Sequence, residues 1–309
     1  MNNIIHQLGE NAMGWRTLII TKHSKVSFAA GQVLVKTVNE TYQIPLSDIN
    51  ILLIESTQAV LTSFVVQKLI KNDVRIIFCD ENYLPVGEIA GYYSHNKRVR
   101  NLEQQVNWSQ ARKEQLWQRL ITLKMLGQQQ VLAELGLDKD DALTPHILQV
   151  LVGDSSNREA VVARLYFTRL FGKGFSRRDD SNPINAHLNY GYQIILAATA
   201  REIQAAGYLT EFGIHHQSYE NALNLASDMM EPLRPIIDRV TWRFIKRAEL
   251  DFSPERRLEL VDVLNFNVRF KGHETLVTGV ISEVLRDSLQ FLNYRGDDQP
   301  TLPEWKLEI

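Results

Sequence analysis

Carboxylates and imidazoles gather in two stretches of this chain, and their types suit a hard divalent cation. Glu159 lies in "GDSSNREAVVARLYF"; His215, His216, Asp228 and Glu231 follow in "GIHHQSYENALNLASDMMEPLRP". Carboxylate oxygens with one imidazole nitrogen favour Mg²⁺ or Mn²⁺ over a metal that prefers thiolates. An ion held in this way points to phosphodiester chemistry. Other catalytic signatures are missing from the sequence. "FGKGF" at 171–175 lacks the length and the trailing Ser or Thr of a phosphate-binding loop, and neither GxSxG nor HExxH occurs. Cys79 is the single cysteine, which excludes an intrachain disulfide and a thiolate zinc cluster. That usage fits a reducing compartment, and the cytoplasm is the expected location.

Each candidate residue also has a structural explanation. Ser156 and Glu159 stand three apart at the start of a helical pattern, and from spacing alone a capping box is the commoner meaning. Adjacent histidines are more often structural or exposed than metal-bound. Asp228 and Glu231 could form a solvated helix face with Arg234 as counter-charge. With the period of a helix, Ala222, Leu225, Ala226 and Met229 make an apolar stripe, while Asn221, Asn224, Asp228 and Glu231 fall on another face. Pro232 and Pro235 should end or kink this helix near Glu231 and so aim its carboxylate outward.

The elements that must position these groups fall into two parts. "RTLII", "QVLVKTV", "TYQIPLSDINILLIES", "VRIIFCD" and "LPVGEI" read as strands, with one helix over 62–72. From Asn101 the spacing turns helical and continues almost to Arg295. The expected fold is therefore α+β: a β-rich domain over 13–96, an all-helical domain over 101–295 and a flexible polar tail over 296–309. The boundary falls at "YYSHNKRVR", which carries Lys97, Arg98 and Arg100. At 309 residues and 44% hydrophobic, the chain can bury a large core. No apolar run is long enough to span a bilayer, and no signal-peptide pattern opens the chain. A net charge of −2 argues against nucleic acid, yet it conceals a basic excess between Arg158 and Arg201.

Taken in order, "MGWRTLIITKHSKVSF" from Met13, "NREAVVARLYF", "NPINAHLNYGYQIIL" and "GIHHQSYENALNLASDMMEPLRPIID" closely resemble the CRISPR-associated integrase and endonuclease of spacer acquisition, in its type II branch. The likeness runs from Met13 to about Asn293. It implies a β domain followed by a helical catalytic domain, a homodimer, and a heterocomplex with a dimer of the second, smaller adaptation protein on double-stranded DNA. The apolar run "LTSFVVQKLI" over 61–70, packing on its own sheet and leaving an edge or face for a twin, predicts that the homodimer forms through the β domain. The activity it implies is metal-dependent insertion of short foreign DNA fragments into a CRISPR array by transesterification. By the same resemblance, Glu159 of "EAVVARLY", His216 of the Gly-x-x-His motif and Glu231 before Pro-x-Arg-Pro bind Mg²⁺ or Mn²⁺ in a wet cleft. Asp228 matches a second acid near the site, and His215 matches a variable position. In "NPINAHLNYGY", His187 stands where the family more often has an apolar residue. Lys173, Arg177 and Arg178, in the loop before that segment, are the expected phosphate contacts, with Lys97, Arg98 and Arg100 as a second group. Two other readings remain open: a repair-type nuclease that hydrolyses branched DNA, and a non-enzymatic DNA-binding scaffold.

Overall fold

The computed structural model describes residues 16–72, 74–81, 83, 85–89, 91, 98–138, 140–296 and 301–309. The chain divides into two compact units, Met1–Ser94 and His95–Ile309. The architecture is mixed, with sheets in the first unit and helices dominating the second, as the expected α+β class requires.

Two sheets build the first unit. One has the order β1 (Arg16–Ile20), β5 (Ile49–Ile54), β7 (Arg75–Cys79), β8 (Pro85–Ile89), with the first three parallel and β8 antiparallel. The central β5, "INILLI", is buried at all six positions, and this is why it reads as a continuous apolar run rather than an alternating one. The other sheet has the order β4 (Thr41–Pro45), β3 (Gln32–Lys36), β2 (Lys25–Ala29), β6 (Val60–Leu61). Helix α1 (Ser63–Lys71) crosses over between β6 and β7. The Thr62 hydroxyl accepts from the Val65 N–H to cap it, and Val65 and Leu69 enter the core formed with Ile20, Val26, Val35, Leu52 and Ile76.

The second unit is organised on α3 (Gln110–Glu134), after the short α2 (Arg98–Val106). Leu116, Leu120, Ile121, Leu123, Met125, Val131 and Leu132 on α3 are all buried, so the helix is covered on more than one side. Around it lie α4 (Thr144–Ile147), α5 (Arg158–Phe171), α6 (Pro183–Ala205), α7 (Asn224–Met229), α8 (Arg234–Lys246), α9 (Pro254–Asp262) and α10 (Val277–Leu292). Asn182 caps α6 by accepting from the Ile184 N–H, and Pro183 opens its first turn. At Gly191, a Cβ would lie 2.6 Å from Cγ2 of the buried Ile237, so α6 and α8 approach closer than any side chain allows. Gly191→Val is expected to lower stability by about 1–3 kcal/mol through overpacking. A denaturation midpoint equal to wild type would contradict this close contact.

Two expectations need correction. The second unit is not all helical: β9 (Asn267–Phe270), β10 (His273–Leu276) and β11 (Leu307–Glu308) form a small antiparallel sheet with β9 in the centre. Nor is the polar tail loose over its described residues 301–309. Trp305 and Leu307 are buried, and Gln130 of α3 donates to the Leu307 carbonyl at 2.8 Å. The polar composition of 296–309 masks an alternation of Trp305, Leu307 and Ile309 that packs as a strand end. Among the described residues, no helix is long and apolar enough to cross a membrane.

Candidate active site

The loop before α7 is held by one carboxylate. Asp228 is fully buried, and its Oδ2 accepts from the backbone N–H groups of Ile214 at 2.7 Å and His215 at 3.1 Å. Its Oδ1 takes the N–H of His216 at 3.1 Å and lies 2.6 Å from His216 Nδ1. Gly213 makes this turn possible. A Cβ there would sit 2.3 Å from the His216 carbonyl oxygen and 2.7 Å from Asp228 Oδ2. The glycine, histidine and acid of this motif are thus one mechanical unit. The Asp228 hydrogen bond holds the His216 pKa above the ordinary histidine value, with the Glu231 and Glu159 charges adding to it. The ring is half-exposed and keeps Nε2 outside the Asp228 bond. His215 turns away and stacks on Trp117 at 4.0 Å, beside a cavity of about 230 Å³ lined also by Glu114, Val152 and Gln217.

Glu159 opens α5, but not as part of a capping box. Asp154 caps this helix instead: its carboxylate accepts from the Arg158 N–H at 2.8 Å and the Glu159 N–H at 3.0 Å, while Asn157 takes a left-handed conformation. The Glu159 side chain, 29% exposed, is therefore free to leave its own helix, and its Oε1 lies 2.5 Å from Lys124 Nζ on α3.

Glu231 does not point outward. The helix breaks where the prolines predict, with α7 ending at Met229 and a 3-10 turn over Glu231–Leu233 before α8. That break sends the carboxylate inward, 4% exposed. Its Oε2 lies 2.6 Å from Lys124 Nζ, and its Oε1 lies 2.9 Å from Arg234 Nε. Burial pushes the Glu231 pKa up, but Lys124 and Arg234 outweigh it and hold the group below its ordinary value. Burial pulls Lys124 down, and the Glu231 and Glu159 carboxylates overcome that and raise it. Both acids thus meet at one ammonium.

Lys124 belongs to no motif named above. Its signal in the sequence is its setting: a lysine in "LITLKML", flanked by Leu120, Ile121, Leu123 and Met125, all buried, must find a carboxylate once folded. Behind the acids lies a second polar layer. The Tyr192 ring receives the Arg234 guanidinium at 4.6 Å and that of Arg177 at 5.4 Å, and its hydroxyl donates to the buried Asp238. Burial pushes the Asp238 pKa up to about 6, against the hydrogen bond from Tyr192.

The expected phosphate contacts separate into two kinds. Arg177 donates to Asn185 at 2.5 Å and Asn189 at 2.7 Å, and Asn185 in turn donates to the Ser176 and Asp179 carbonyls. Arg177 therefore braces the loop from inside, and this is what the asparagines of "NPINAHLNYGY" do. His187 takes an apolar neighbour's place, buried against Phe244 and Phe252. Lys173 and Arg178 are exposed on the same loop, and Arg98 and Arg100 are exposed on α2. Lys97 lies outside the described residues. Arg169, counted in the basic excess, is taken up by Asp138 and Asp140.

Among the described residues, no three His, Cys, Asp or Glu side chains are grouped closely enough to hold a metal ion as they stand. The donor set nonetheless fits Mg²⁺ or Mn²⁺. Two carboxylates from different elements already meet one cation, and an imidazole oriented by Asp228 lies in reach of their charge.

The profile of the family described as CRISPR associated protein Cas1 matches residues 18–261. A CRISPR-associated endonuclease Cas1 from Neisseria meningitidis is 32% identical over 295 residues, covering 94% of this chain and 97% of that one. Among solved structures, a casposase bound to integration product superposes with a TM-score of 0.74 at 20% identity, covering 93% of this chain and 92% of that one. A chain of a Cas6-RT-Cas1–Cas2 complex gives 0.61 at 18% identity, over 95% of this chain and 34% of that one. With the match extending into both units, this chain belongs to the Cas1 family of CRISPR-associated proteins.

Proposed function

We propose that this chain is a metal-dependent DNA integrase and endonuclease that inserts short foreign DNA fragments as new spacers into a CRISPR array by transesterification. The observation that carries the reading is the meeting of Glu159 and Glu231 on a single ammonium, with His216 beside them. Family membership supports it. The Neisseria relative is named an endonuclease, and the casposase of like fold was captured with an integration product.

In this reading Glu159, His216 and Glu231 hold Mg²⁺ or Mn²⁺. When bound, such an ion acts as a Lewis acid on the scissile phosphate and lowers the pKa of the attacking hydroxyl. The attacking fragment 3′-oxygen bonds to phosphorus, the target strand's 3′-oxygen leaves, and a proton passes from the first to the second. Water as nucleophile gives cleavage. Asp228 holds the His216 ring so that Nε2 is the nitrogen presented. Lys124 and Arg234 together hold the Glu231 pKa down although the group is buried. Lys173 and Arg178, exposed on their loop, meet DNA phosphates, with Arg98 and Arg100 as further contacts. The first unit pairs two copies into a homodimer, which joins a dimer of the second, smaller adaptation protein; the Cas1–Cas2 complex of like fold supports that partner.

Strand joining tests the reading. With Mg²⁺ or Mn²⁺, a fragment bearing free 3′-OH ends, a repeat-containing target and the second adaptation protein, covalent fragment–target products are expected, and excess EDTA should abolish them. Cleavage of branched DNA without joined products would favour a repair-type nuclease. DNA binding with neither reaction would leave a scaffold.

A further inference from the structure

We infer that Lys124 is a positioning residue that stands in for the metal: its ammonium holds Glu159 and Glu231 in register before the ion arrives and is displaced when the ion binds. This rests on the metal reading proposed above. Nζ lies 2.5 Å from Glu159 Oε1 and 2.6 Å from Glu231 Oε2, so one positive charge is shared between two acids from different helices. Glu231 is buried and also faces Arg234 on its other oxygen, so its Oε2 is the atom left for an incoming cation, and Lys124 already covers it. Lys124 itself is buried in the middle of the longest helix, which leaves its backbone fixed and only the side chain able to move.

The physical need for such a group is plain. Two carboxylates drawn to one point, Glu231 buried and Glu159 partly exposed, repel each other once no cation lies between them. An internal ammonium removes that repulsion in the metal-free protein. It also competes with the metal, because the binding-competent arrangement, with Lys124 turned out, is then a minor one and the apparent affinity falls by its population. The arrangement that preassembles the site therefore weakens its grip on the ion.

The test compares wild type, Lys124→Met, Lys124→Gln and Glu159→Gln as full-length protein, using Mn²⁺ alone as the probe. Mn²⁺ affinity is measured by calorimetry, and melting is followed in EDTA and at saturating Mn²⁺. Both Lys124 variants should bind Mn²⁺ at least about tenfold more tightly than wild type. They should melt lower than wild type in EDTA and recover most of the difference with Mn²⁺. A variant folded only in the presence of Mn²⁺ would meet the same expectation. Equal or weaker Mn²⁺ binding in both variants overturns the proposal, as does a failure to fold even at saturating Mn²⁺, since the ion could not then replace the ammonium. If wild type binds Mn²⁺ and Glu159→Gln does not, the metal reading stands whatever Lys124 does. If no form binds Mn²⁺, both readings fall together.

Discussion

Glu159→Gln and Glu231→Gln should both lose strand joining, by on the order of 10³-fold, yet behave as different proteins on unfolding. A bound metal supplies several kcal/mol of charge stabilisation in the transition state, and each ~1.4 kcal/mol is a factor of ten. Either substitution removes a charged donor from the set and should bring the same loss of rate. Stability separates them. Glu159 is partly exposed, and Lys124 keeps Glu231 when Glu159 is neutralised, so its melting should stay within about 1 kcal/mol of wild type. Glu231 is buried between Lys124 and Arg234, and its neutralisation leaves two inward cations without their shared partner, a loss of about 3–5 kcal/mol. Glu159 is partly open to solvent, as the expected wet cleft would require, whereas Glu231 is buried. Full strand joining by Glu159→Gln would remove it from the site, and a wild-type melting curve for Glu231→Gln would mean that the buried charges relax into water.

Asp228→Ala carries the second large effect. One fully buried carboxylate accepts three backbone N–H groups and the His216 ring. Leaving several buried donors unsatisfied costs about 1–3 kcal/mol for each group. A total loss on the order of 3–5 kcal/mol is expected after water enters, together with a freely turning His216. Asp228→Asn should fall between, since its amide keeps one acceptor oxygen but sets an NH₂ against the donors it replaces. Chemical denaturation reads the first effect, and ring resonances of His216 that no longer report the Asp228 bond read the second. If the alanine variant unfolds with the wild-type midpoint, the loop is held by something other than this carboxylate.

What was legible from sequence and what was not follows the range of the interactions. Six of the eight strands described in the first unit and the helix over 62–72 could be read because their signals are local, apolar runs with turn residues between them, whereas β2, with Lys25 and Ser27 in its five residues, and the two-residue β6 carry too little apolar pattern. Glu159, His216 and Glu231 could be named because motif residues mark them, though their spacing carried no geometry. Lys124 could not, because the acids that explain it lie on other elements far along the chain. Arg177 read as a surface cation for a related reason: nothing local reveals that Asn185 and Asn189 fold back to take its donors. The hairpin of β9 and β10 was hidden by its length, four residues a strand between strongly helical segments, although Val268 and Phe270 do alternate with exposed neighbours.

The loop that carries His216 also has a bearing on how the substrate is met. Three successive backbone N–H groups turned to one point form an anion nest, the arrangement with which many loops grip phosphate. Here the guest is built in, since Asp228 fills the nest with its own negative charge. A phosphate arriving at residues 214–216 finds those amides spoken for and an acid in its way. On the function proposed above, the main chain of this loop is therefore closed to the nucleic acid, and the pull on the phosphodiester would come from cationic side chains and from an ion held with the help of His216.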